Sequence, residues 1–519
     1  MLDDSEKHSE ATELKPKFEK LGGYEFYHKV LGSPKYIVAP MVDQSELAWR
    51  MLCRKYKAEL CYSPMFHSNL FANDPKYRKD ALQTCPEDRP LIIQFCGNDA
   101  KTILEAAALA QDYCDAVDIN LGCPQAIARR GHYGCFLQDE WELLEEIVKT
   151  LHVNLKVPVT CKIRIFEDRE KTLRYAKMLE RAGCQLLTVH GRTREQKGPL
   201  TGIADWSYIR DVRQHIKIPM FANGNILCLE DIKRCMEETG VDGVMTAEGN
   251  LHNPALFCGQ SPKTWEMAEG YLSYVEQFPC PISYIRGHMF KIFHHIMNLK
   301  SNSILREELA VANDVQKFRD VVKKIQVKYE PYHEGLQVYE MEEVDPSVTQ
   351  HTLGYNLALP PWLCQPYVRV PPELHKQIIA EKVRLAEDPN REKRHYFDND
   401  GQEISRKRMK KLRRRMRRPN KPEGKHERNL ENCDQCNNPM GFKCEFRLCR
   451  ICCREKCYSE DNDCPGHGIL IKSRRAKAKQ FEESKNDSGL ADEADESGES
   501  LKEQDVNKLS VNVSNSDIS

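Results

Sequence analysis

A chain of 519 residues is too long for one ordinary domain and favours roughly two to four. Its first twenty residues are rich in charge and lack the apolar core of a signal peptide, and no uncharged apolar run approaches the roughly 20 residues that span a bilayer. The formal net charge of −1 hides one basic and one acidic block. We therefore expect a soluble protein with no membrane contact.

The 22 cysteines are unevenly distributed along the chain. Eight of them lie between Cys433 and Cys464, and the other 14 are scattered. Because the sequence shows no export signal, we expect a reducing compartment, in which disulfides are rare. The dense group therefore predicts a metal-binding module in the C-terminal part of the chain.

Short apolar runs rich in β-branched residues recur through the first half of the chain. They predict strands at Tyr36–Met41, Glu59–Ser63, Leu91–Phe95, Ala116–Asn120, Val157–Ile165, Gln185–His190, Ile218–Asn223 and Gly243–Ala247. Segments with helical periodicity separate them, for example Glu140–Val153 and Lys171–Gly183. About eight β-α units in roughly 210 residues predict a TIM (β/α)8 barrel. A doubly wound sheet is the alternative, but its usual glycine-rich first turn does not follow Met41.

The second half of the chain changes character several times. From about Glu269 to Val327 the periodicity is wholly helical, and after an irregular connection a further helix is predicted at Glu373–Glu387. Arg406–Arg418 holds ten Lys or Arg in 13 positions, whereas Phe481–Ser519 holds 11 acidic residues and three lysines. The predicted segments are an N-terminal extension (1–33), the barrel (34–268), a helical domain (269–330), a linker and helix (331–403), a basic arm (404–424), a Cys-rich module (425–470) and a disordered acidic tail (471–519).

Polar residues follow the predicted strands, at the end of a TIM barrel that carries the active site. They are Pro40-Met41-Val42, Gln94, Asn120 with Cys123, Lys162 with Arg164, His190-Gly191-Arg192, Asn223-Gly224-Asn225 and Ala247-Glu248-Gly249. Lys162 and Arg164 lie two apart on one strand and therefore project to the same side. Two cations there would be costly without an anionic partner, so a bound anion or an electron-rich ring is implied unless one side chain reaches solvent.

The loops after the seventh and eighth strands form the usual phosphate site of this fold. Asn223-Gly224-Asn225 suits that role, whereas the carboxylate of Glu248 would repel a phosphate, so we expect its backbone amide to contribute instead. A turn without a ligand is the alternative for either loop. Together with Gln94, Lys162 and His190, these loops predict flavin mononucleotide (FMN), with a cation near the N1–O2 edge of its ring.

Six motifs occur in order along the barrel. They are APMVD at Ala39–Asp43, QFCGND at Gln94–Asp99, NLGCPQ at Asn120–Gln125, CKIRI at Cys161–Ile165, VHGRT at Val189–Thr193 and NGNI at Asn223–Ile226. Over roughly Tyr36 to Lys324 the chain resembles the tRNA-dihydrouridine synthases. TAEGNLHNP at Thr246–Pro254 departs from the Gly-Arg found there in many relatives and, with NGNI, is similar to the eukaryotic tRNA-dihydrouridine(16/17) synthases.

The resemblance implies an oxidoreductase that reduces the C5–C6 double bond of a uridine in the D-loop of tRNA. NAD(P)H would reduce the flavin, the flavin would pass hydride to C6, and a cysteine would protonate C5; by position in NLGCP this is Cys123. A thiol with its ordinary pKa near 8.5 is protonated at neutral pH and can act as a general acid. The expected FMN-binding set is Pro40, Met41, Val42, Gln94, Lys162, His190, Asn223, Gly224, Asn225, Glu248 and Gly249.

The resemblance also implies contacts with tRNA. Asn120 and Arg164 are expected at the uracil edge, and Arg192 near the mouth is a further candidate. A basic face of the helical domain would form a wall for the RNA backbone, with core packing as the alternative; its residues are Arg286, His288, Lys291, His294 and His295. Gly131 and Gly134 would let the loop after Cys123 close over substrate, or would form a plain turn.

The C-terminal cysteine group offers nine candidate metal ligands, and the resemblance does not account for them. They are Cys433, Cys436, Cys444, Cys449, Cys452, Cys453, Cys457, Cys464 and His467. Tetrahedral zinc takes four ligands, so two Zn2+ ions would use eight and leave one spare; an iron–sulfur cluster is the weaker alternative. The neighbouring basic arm is expected to bind RNA or to direct nuclear import, with a solvated charged segment as the alternative, and the expected location is the nucleus, the cytoplasm or both.

Two other functions stay open at this point. One is a flavin-dependent reductase of free pyrimidines, against which the basic arm and the zinc module argue. The other is a catalytically silent RNA-binding scaffold, against which the presence of Cys123, Lys162, Gln94 and His190 argues.

Overall fold

In a computed structural model of the protein, the structure describes residues 15–340, 359–369, 371–387, 402–403, 405, 408–409, 431–441, 443–476 and 479. The chain divides into two compact units, Met1–Arg418 and Pro419–Ser519. Almost all of the predicted basic arm and acidic tail lies outside the described residues, so those two assignments stay predictions. No helix among the described residues has the length and apolar character needed to cross a membrane.

Eight parallel strands close into a barrel in the first unit, which confirms the predicted TIM barrel. They are β1 (Tyr36–Val38), β2 (Leu60–His67), β3 (Leu91–Cys96), β4 (Ala116–Leu121), β5 (Val159–Arg164), β6 (Leu187–His190), β7 (Met220–Asn223) and β8 (Gly243–Thr246). Each strand pairs with the next along the chain, and β8 closes on β1 through the pair Ile37 and Met245. The strands are apolar because both of their faces are covered, as in β3, whose six residues are all buried.

Helices surround the barrel. They are α1 (Gly23–Lys29), α2 (Leu47–Lys55), α3 (Ser68–Asn73), α4 (Pro75–Ala81), α5 (Ala100–Ala110), α6 (Ala126–Gly131), α7 (Trp141–Asn154), α8 (Arg169–Arg181), α9 (Trp206–His215), α10 (Leu229–Thr239) and α11 (Glu248–His252). Their apolar residues recur every three or four positions; in α7, Leu144, Ile147, Val148 and Leu151 are all buried. Helices such as α7 therefore cover the outer face of the barrel with an apolar stripe, whereas Phe26 and Tyr27 of α1 pack in a separate cluster with Ile37, Phe221 and Met245 of the strands.

A helical domain follows the barrel, as the sequence predicts. It contains α12 (Thr264–Gln277), α13 (Ile282–Ile292), α14 (His294–Asn298), α15 (Ser303–Val311) and α16 (Val315–His333), and α17 (Pro372–Glu387) comes later in the same unit. The buried Glu46 of the barrel accepts hydrogen bonds from Tyr271 Oη at 2.5 Å and His288 Nε2 at 3.0 Å. The helical domain is thus joined to the barrel through a buried polar contact near the loop after β1.

The second unit is small. Its elements are the hairpin β9 (Asn432–Cys433) and β10 (Cys436–Pro439), α18 (Arg450–Ser459), and the hairpin β11 (Asp463–Cys464) and β12 (Ile469–Leu470). Apart from cysteines, its buried apolar cluster contains only Leu448 and Ile469 among the described residues. Such a core is too small to stabilise a fold by itself.

Candidate active site

Cys123 lies in the loop directly after β4, and a side chain of that strand fixes its backbone. Asn120 Oδ1 accepts hydrogen bonds from the backbone N–H groups of Gly122 at 3.1 Å and Cys123 at 2.9 Å. Asn120 Nδ2 in turn donates to Gln94 Oε1 at 2.7 Å. Both polar ends of the Asn120 amide are therefore used to hold the loop that carries the thiol.

The hydrogen-bond chain continues into the barrel interior and ends on Asp118. Gln94 Nε2 donates to Asp118 Oδ2 at 2.7 Å, and Thr160 Oγ1 donates to Asp118 Oδ1 at 2.6 Å. Burial raises the pKa of Asp118 to about 6. Asp118 is not among the residues predicted from the sequence, although an acid inside a mostly apolar strand such as Ala116–Leu121 is a pattern that indicates a buried polar network.

The Cys123 side chain is half-buried, and burial raises the pKa of its thiol above the ordinary value. The chain folds back over it: Cys135 donates to Cys123 O from its backbone N–H at 3.3 Å and from its thiol at 3.1 Å. Gly134 has φ +67°, and a Cβ there would lie 2.8 Å from Cys123 O. Glycine at position 134 is therefore required for this close packing against Cys123. The predicted closing movement of the loop after Cys123 over the substrate stays a prediction.

Lys162 and Arg164 leave β5 on the same side but have different surroundings. Lys162 Nζ donates to Asn223 Oδ1 at 2.8 Å, and burial lowers its pKa to about 7, with a smaller effect from Arg164. Arg164 is 8% exposed and donates to Gly122 O at 2.9 Å and Thr193 O at 2.7 Å. Lys162 is thus a cation with a neutral partner, whereas Arg164 ties together the loops after β4 and β6.

His190, Arg192 and Asn225 form a connected group across the ends of β6 and β7. Arg192 Nη1 lies 2.9 Å from His190 Nε2, and Arg192 Nη2 donates to Asn225 Oδ1 at 2.5 Å. Burial and the nearby Lys162 keep the pKa of His190 well below its ordinary value, so the ring is neutral and its Nε2 accepts from Arg192. Gly224, with φ +114°, allows the loop to approach His190, because a Cβ there would lie 3.0 Å from the His190 ring.

The loop after β8 brings Glu248 and Gly249 to the same end of the barrel. A Cβ on Gly249 would lie 2.3 Å from Ile226 O, so the loops after β7 and β8 are in close contact only because this residue is glycine. Glu248 accepts two hydrogen bonds from Arg369, both at 2.8 Å, and lies 3.8 Å from Lys291 Nζ. Arg369 is not among the site residues predicted from the sequence, since it lies 121 residues from Glu248 along the chain.

The first strand end contributes to a cavity beside the mouth. Met41 N donates to Ser45 Oγ at 3.0 Å, which holds the turn after β1, and Val42 beyond it is 51% exposed. Val42 and Met65 line a cavity of about 660 Å³ that extends to Tyr284 of the helical domain. Met65 also packs in the group that includes Cys123, so this cavity adjoins the thiol's loop.

Of the histidines predicted for an RNA-facing wall, His288 is buried, whereas His294 and His295 are half-buried. His288 has no exposed surface and stacks on Trp49 with ring centroids 4.0 Å apart. Burial lowers the pKa of His294 to about 3, and His295 Nε2 lies 3.2 Å from Pro366 O. For His288 the structure therefore favours the alternative of core packing, because its apolar neighbours and Glu46 leave it no surface.

The second unit brings eight of the nine candidate metal ligands into two groups. One group is Cys433, Cys436, Cys449 and Cys452, and the other is Cys444, Cys453, Cys464 and His467; within each, the ligand atoms lie within 4.8 Å of one another. Cys452 and Cys453 are neighbours on α18 and belong to different groups, because consecutive helical positions point about 100° apart. Cys457 is buried outside both groups, with Sγ 4.0 Å from Cys453 Sγ.

Comparison with known proteins places this arrangement in a family. A family model described as dihydrouridine synthase (Dus) matches residues 37–337. The chain belongs to the dihydrouridine synthase family. This membership confirms the resemblance drawn from the six motifs, all of which lie within the matched residues, and the expectation of an oxidoreductase. The match ends before Arg369 and before both cysteine groups, which are therefore additions to the dihydrouridine synthase domain.

Three relatives show how far the similarity extends. A mouse protein named tRNA-dihydrouridine(16/17) synthase [NAD(P)(+)]-like is 49% identical over 463 residues, which cover 88% of this chain and 93% of the relative. The tRNA-dihydrouridine(16/17) synthases [NAD(P)(+)] of Schizosaccharomyces pombe and Saccharomyces cerevisiae are 47% and 46% identical, each over 68% of this chain. These alignments cover 92% and 87% of the two yeast proteins.

Proposed function

We propose that this protein is an FMN-dependent tRNA-dihydrouridine synthase, which uses NAD(P)H to reduce uridine at positions 16 and 17 of the tRNA D-loop. The observation that carries the proposal is the position of the Cys123 thiol in the loop directly after β4, where Asn120 Oδ1 accepts a hydrogen bond from the Cys123 backbone N–H at the barrel mouth. The names of the mouse and yeast relatives support the substrate and the positions.

The residues at the mouth are compatible with a bound flavin. Among the described residues no carboxylate lies within 4 Å of Lys162 Nζ, so a half-buried ammonium has only the amide of Asn223 as its partner. An electron-rich ring edge would complete its environment, because a buried cation needs compensation. Asn223, Gly224, Asn225 and the backbone amides of Glu248 and Gly249 would hold the phosphate. When bound, FMN would supply the hydride for C6 after reduction by NAD(P)H.

Cys123 would supply the proton in this reaction. The thiol donates H+ from Sγ to C5 while hydride is added at C6, so the double bond becomes two C–H bonds and a thiolate remains to be reprotonated from solvent. A raised pKa favours this role, since the thiol is in its acid form before the reaction and the thiolate recovers a proton readily afterwards.

Asn120, Arg164 and Arg192 would act on the substrate partly through the loops they hold. Asn120 sets the backbone of Cys123, and Arg164 ties that loop to the loop after β6. No partner for Arg164 Nη2 is found in the part of the chain that the structure describes, which leaves it for a uracil carbonyl oxygen. Arg192 would act at the barrel rim by holding the side chains of His190 and Asn225, which it contacts.

A uridine in folded RNA has to leave its stack to reach such a mouth, so tRNA would contact the barrel rim and the helical domain. The direct test is mapping dihydrouridine at nucleotide resolution in tRNA from cells with and without the protein. Loss confined to positions 16 and 17 supports the proposal. Purified protein that reduces free uracil but not tRNA would favour the alternative reductase, and purified protein that binds no flavin would favour the silent scaffold.

The second unit has its own proposed role as a module that binds two Zn2+ ions. In the first group Cys436 Sγ lies 3.6 Å from both Cys449 Sγ and Cys452 Sγ, and in the second Cys444 Sγ lies 4.0 Å from Cys464 Sγ. Sulfurs on a tetrahedral zinc are about 3.8 Å apart, given Zn–S bonds of about 2.3 Å. The ions would also replace the apolar core that this unit lacks. The module and the basic arm would add RNA affinity in the nucleus or the cytoplasm.

A further inference from the structure

The chain beyond the family domain returns to the barrel mouth. We name residues 359–369 the strap. Its backbone is fixed at the start of the helical domain, where Thr264 N donates to Trp362 O at 2.9 Å and Cys364 N donates to Pro262 O at 2.8 Å. Further along, Tyr367 contacts His294 with ring centroids 4.7 Å apart. The strap therefore crosses from the helical domain toward the loop after β8.

At the end of the strap, Arg369 makes a two-point contact with Glu248. Arg369 Nε and Nη2 donate to the two carboxylate oxygens, each at 2.8 Å. Lys291 Nζ of α13 lies 3.8 Å from the same carboxylate. Two cations therefore share one anion, and the group keeps an excess positive charge. Arg369 Nη1 has no hydrogen-bond partner in the described part of the chain, and its side chain is 44% exposed.

This excess charge lies where the fold accepts phosphate. Glu248 begins the short helix after β8 and is next to Gly249, which touches the loop after β7. A carboxylate alone would repel a phosphate in that position, since both are anions. One arginine would only neutralise it, whereas Arg369 and Lys291 together reverse the sign of the charge.

We propose that Arg369 is a ligand for the phosphate of the flavin cofactor, held in place by Glu248 and presented through Nη1. This inference rests on the proposed function, because it takes FMN as the cofactor. It assigns part of the cofactor site to a segment beyond residues 37–337, so the functional catalytic unit includes the strap. The alternative is an ion pair that only fastens the strap to the barrel.

Two flavins distinguish these roles. Full-length Arg369→Ala, freed of flavin, is titrated with FMN and with riboflavin, which lacks the phosphate, and binding is followed by flavin fluorescence. Loss of one charge-assisted contact predicts FMN binding weaker by roughly tenfold to a hundredfold, with riboflavin binding changed by less than about twofold. Equal losses for both flavins, or no loss for either, would overturn the proposal.

Arg384→Ala is the matched control, because Arg384 is an exposed arginine of α17 whose ion pair among the described residues is a local one with Glu381. It should leave both titrations unchanged. If alanine at position 369 disturbs the strap, Arg369→Gln removes the charge from a side chain of similar length and should give the same FMN-selective loss. A near-normal FMN affinity in Arg369→Gln would contradict the proposal.

A third titration separates the cofactor phosphate from an RNA phosphate. Arg369→Ala that binds FMN normally but binds tRNA more weakly would assign the cation to the RNA backbone and overturn the assignment to FMN. Failure of the proposed function gives a different result: the wild-type protein itself would bind neither FMN nor riboflavin. A wild-type protein that binds FMN and riboflavin equally well would contradict the phosphate contact alone.

Discussion

Asn120 Oδ1 accepts a hydrogen bond from the backbone N–H of Cys123 at 2.9 Å, so the strand that precedes the thiol also sets its position. The Asn120 amide also donates a hydrogen bond to Gln94, and Gln94 donates one to the buried Asp118. The loop that carries Cys123 is therefore anchored to the barrel interior through side chains rather than through strand pairing. Its geometry depends on an amide that need not touch the substrate.

Asn120→Ala should slow reduction of tRNA more than it weakens FMN binding. The substitution leaves two backbone N–H groups near Cys123 without their acceptor, so the thiol is less well positioned. We expect a fall of roughly tenfold to a hundredfold in the single-turnover rate, with FMN affinity within about threefold of wild type. Asn73→Ala, an exposed control with a local contact to Asn69, should change neither quantity. Equal effects of the two variants would contradict this role.

Gly134→Ala should disturb the thiol by direct contact. Gly134 and Gly32 both have positive φ, of +67° and +75°, but only Gly134 has close neighbours, since a Cβ added there would lie 2.8 Å from Cys123 O. Gly32→Ala should therefore cost only the backbone strain, about 1 kcal/mol in free energy of unfolding. Gly134→Ala should cost more and also slow tRNA reduction. Urea unfolding and single-turnover rates measured on both variants test this, and identical behaviour would argue against the contact.

Lys162 predicts a pH dependence of flavin binding. Burial lowers its pKa to about 7 in the cofactor-free protein, so the side chain is mostly charged at pH 6 and mostly neutral at pH 9. If the ring requires the ammonium, riboflavin affinity falls as pH rises above about 7, by at most tenfold per pH unit. Riboflavin is used because it has no titrating phosphate. Lys162→Met should bind riboflavin weakly, with an affinity that does not change with pH. Equal riboflavin affinities of the wild-type protein at pH 6 and pH 9 would contradict the assignment of Lys162 as a flavin ligand.

The two cysteine groups predict a zinc count for each variant. Wild-type protein should contain two Zn2+ per chain by elemental analysis, and Cys433→Ser and Cys444→Ser should each lose one, because they belong to different groups. Cys457→Ser is the control, since this cysteine is buried outside both groups, and it should keep two. Loss of both ions in every variant, including Cys457→Ser, would argue against two separate sites.

Much of the fold could be predicted because its causes are local. Apolar runs of strand length and helices with one apolar stripe occur in the order of the barrel, so eight strands and their helices follow from periodicity. The strand ends of such a barrel meet at one mouth, which brings Gln94, Lys162 and His190 together without any knowledge of register.

What could not be predicted depends on contacts between distant parts of the chain. The pairing of Gln94 with Asp118 across β3 and β4 requires the strand register, which sequence does not give. Arg369 reaches Glu248 only because the strap returns to the barrel. A histidine such as His288 suits an RNA-binding surface, but in the fold Trp49 stacks on its ring and helps to bury it.

Single-turnover reduction of tRNA by pre-reduced Cys123→Ala tests the central claim most directly, because it isolates the step in which C5 receives its proton. The variant should keep its flavin and its reduction by NAD(P)H but form dihydrouridine roughly 100-fold to 10,000-fold more slowly than wild type. Cys258→Ala, a control at another half-buried cysteine, should react at the wild-type rate. A Cys123→Ala protein that reduced tRNA as fast as wild type would contradict the assignment of Cys123 as the proton donor.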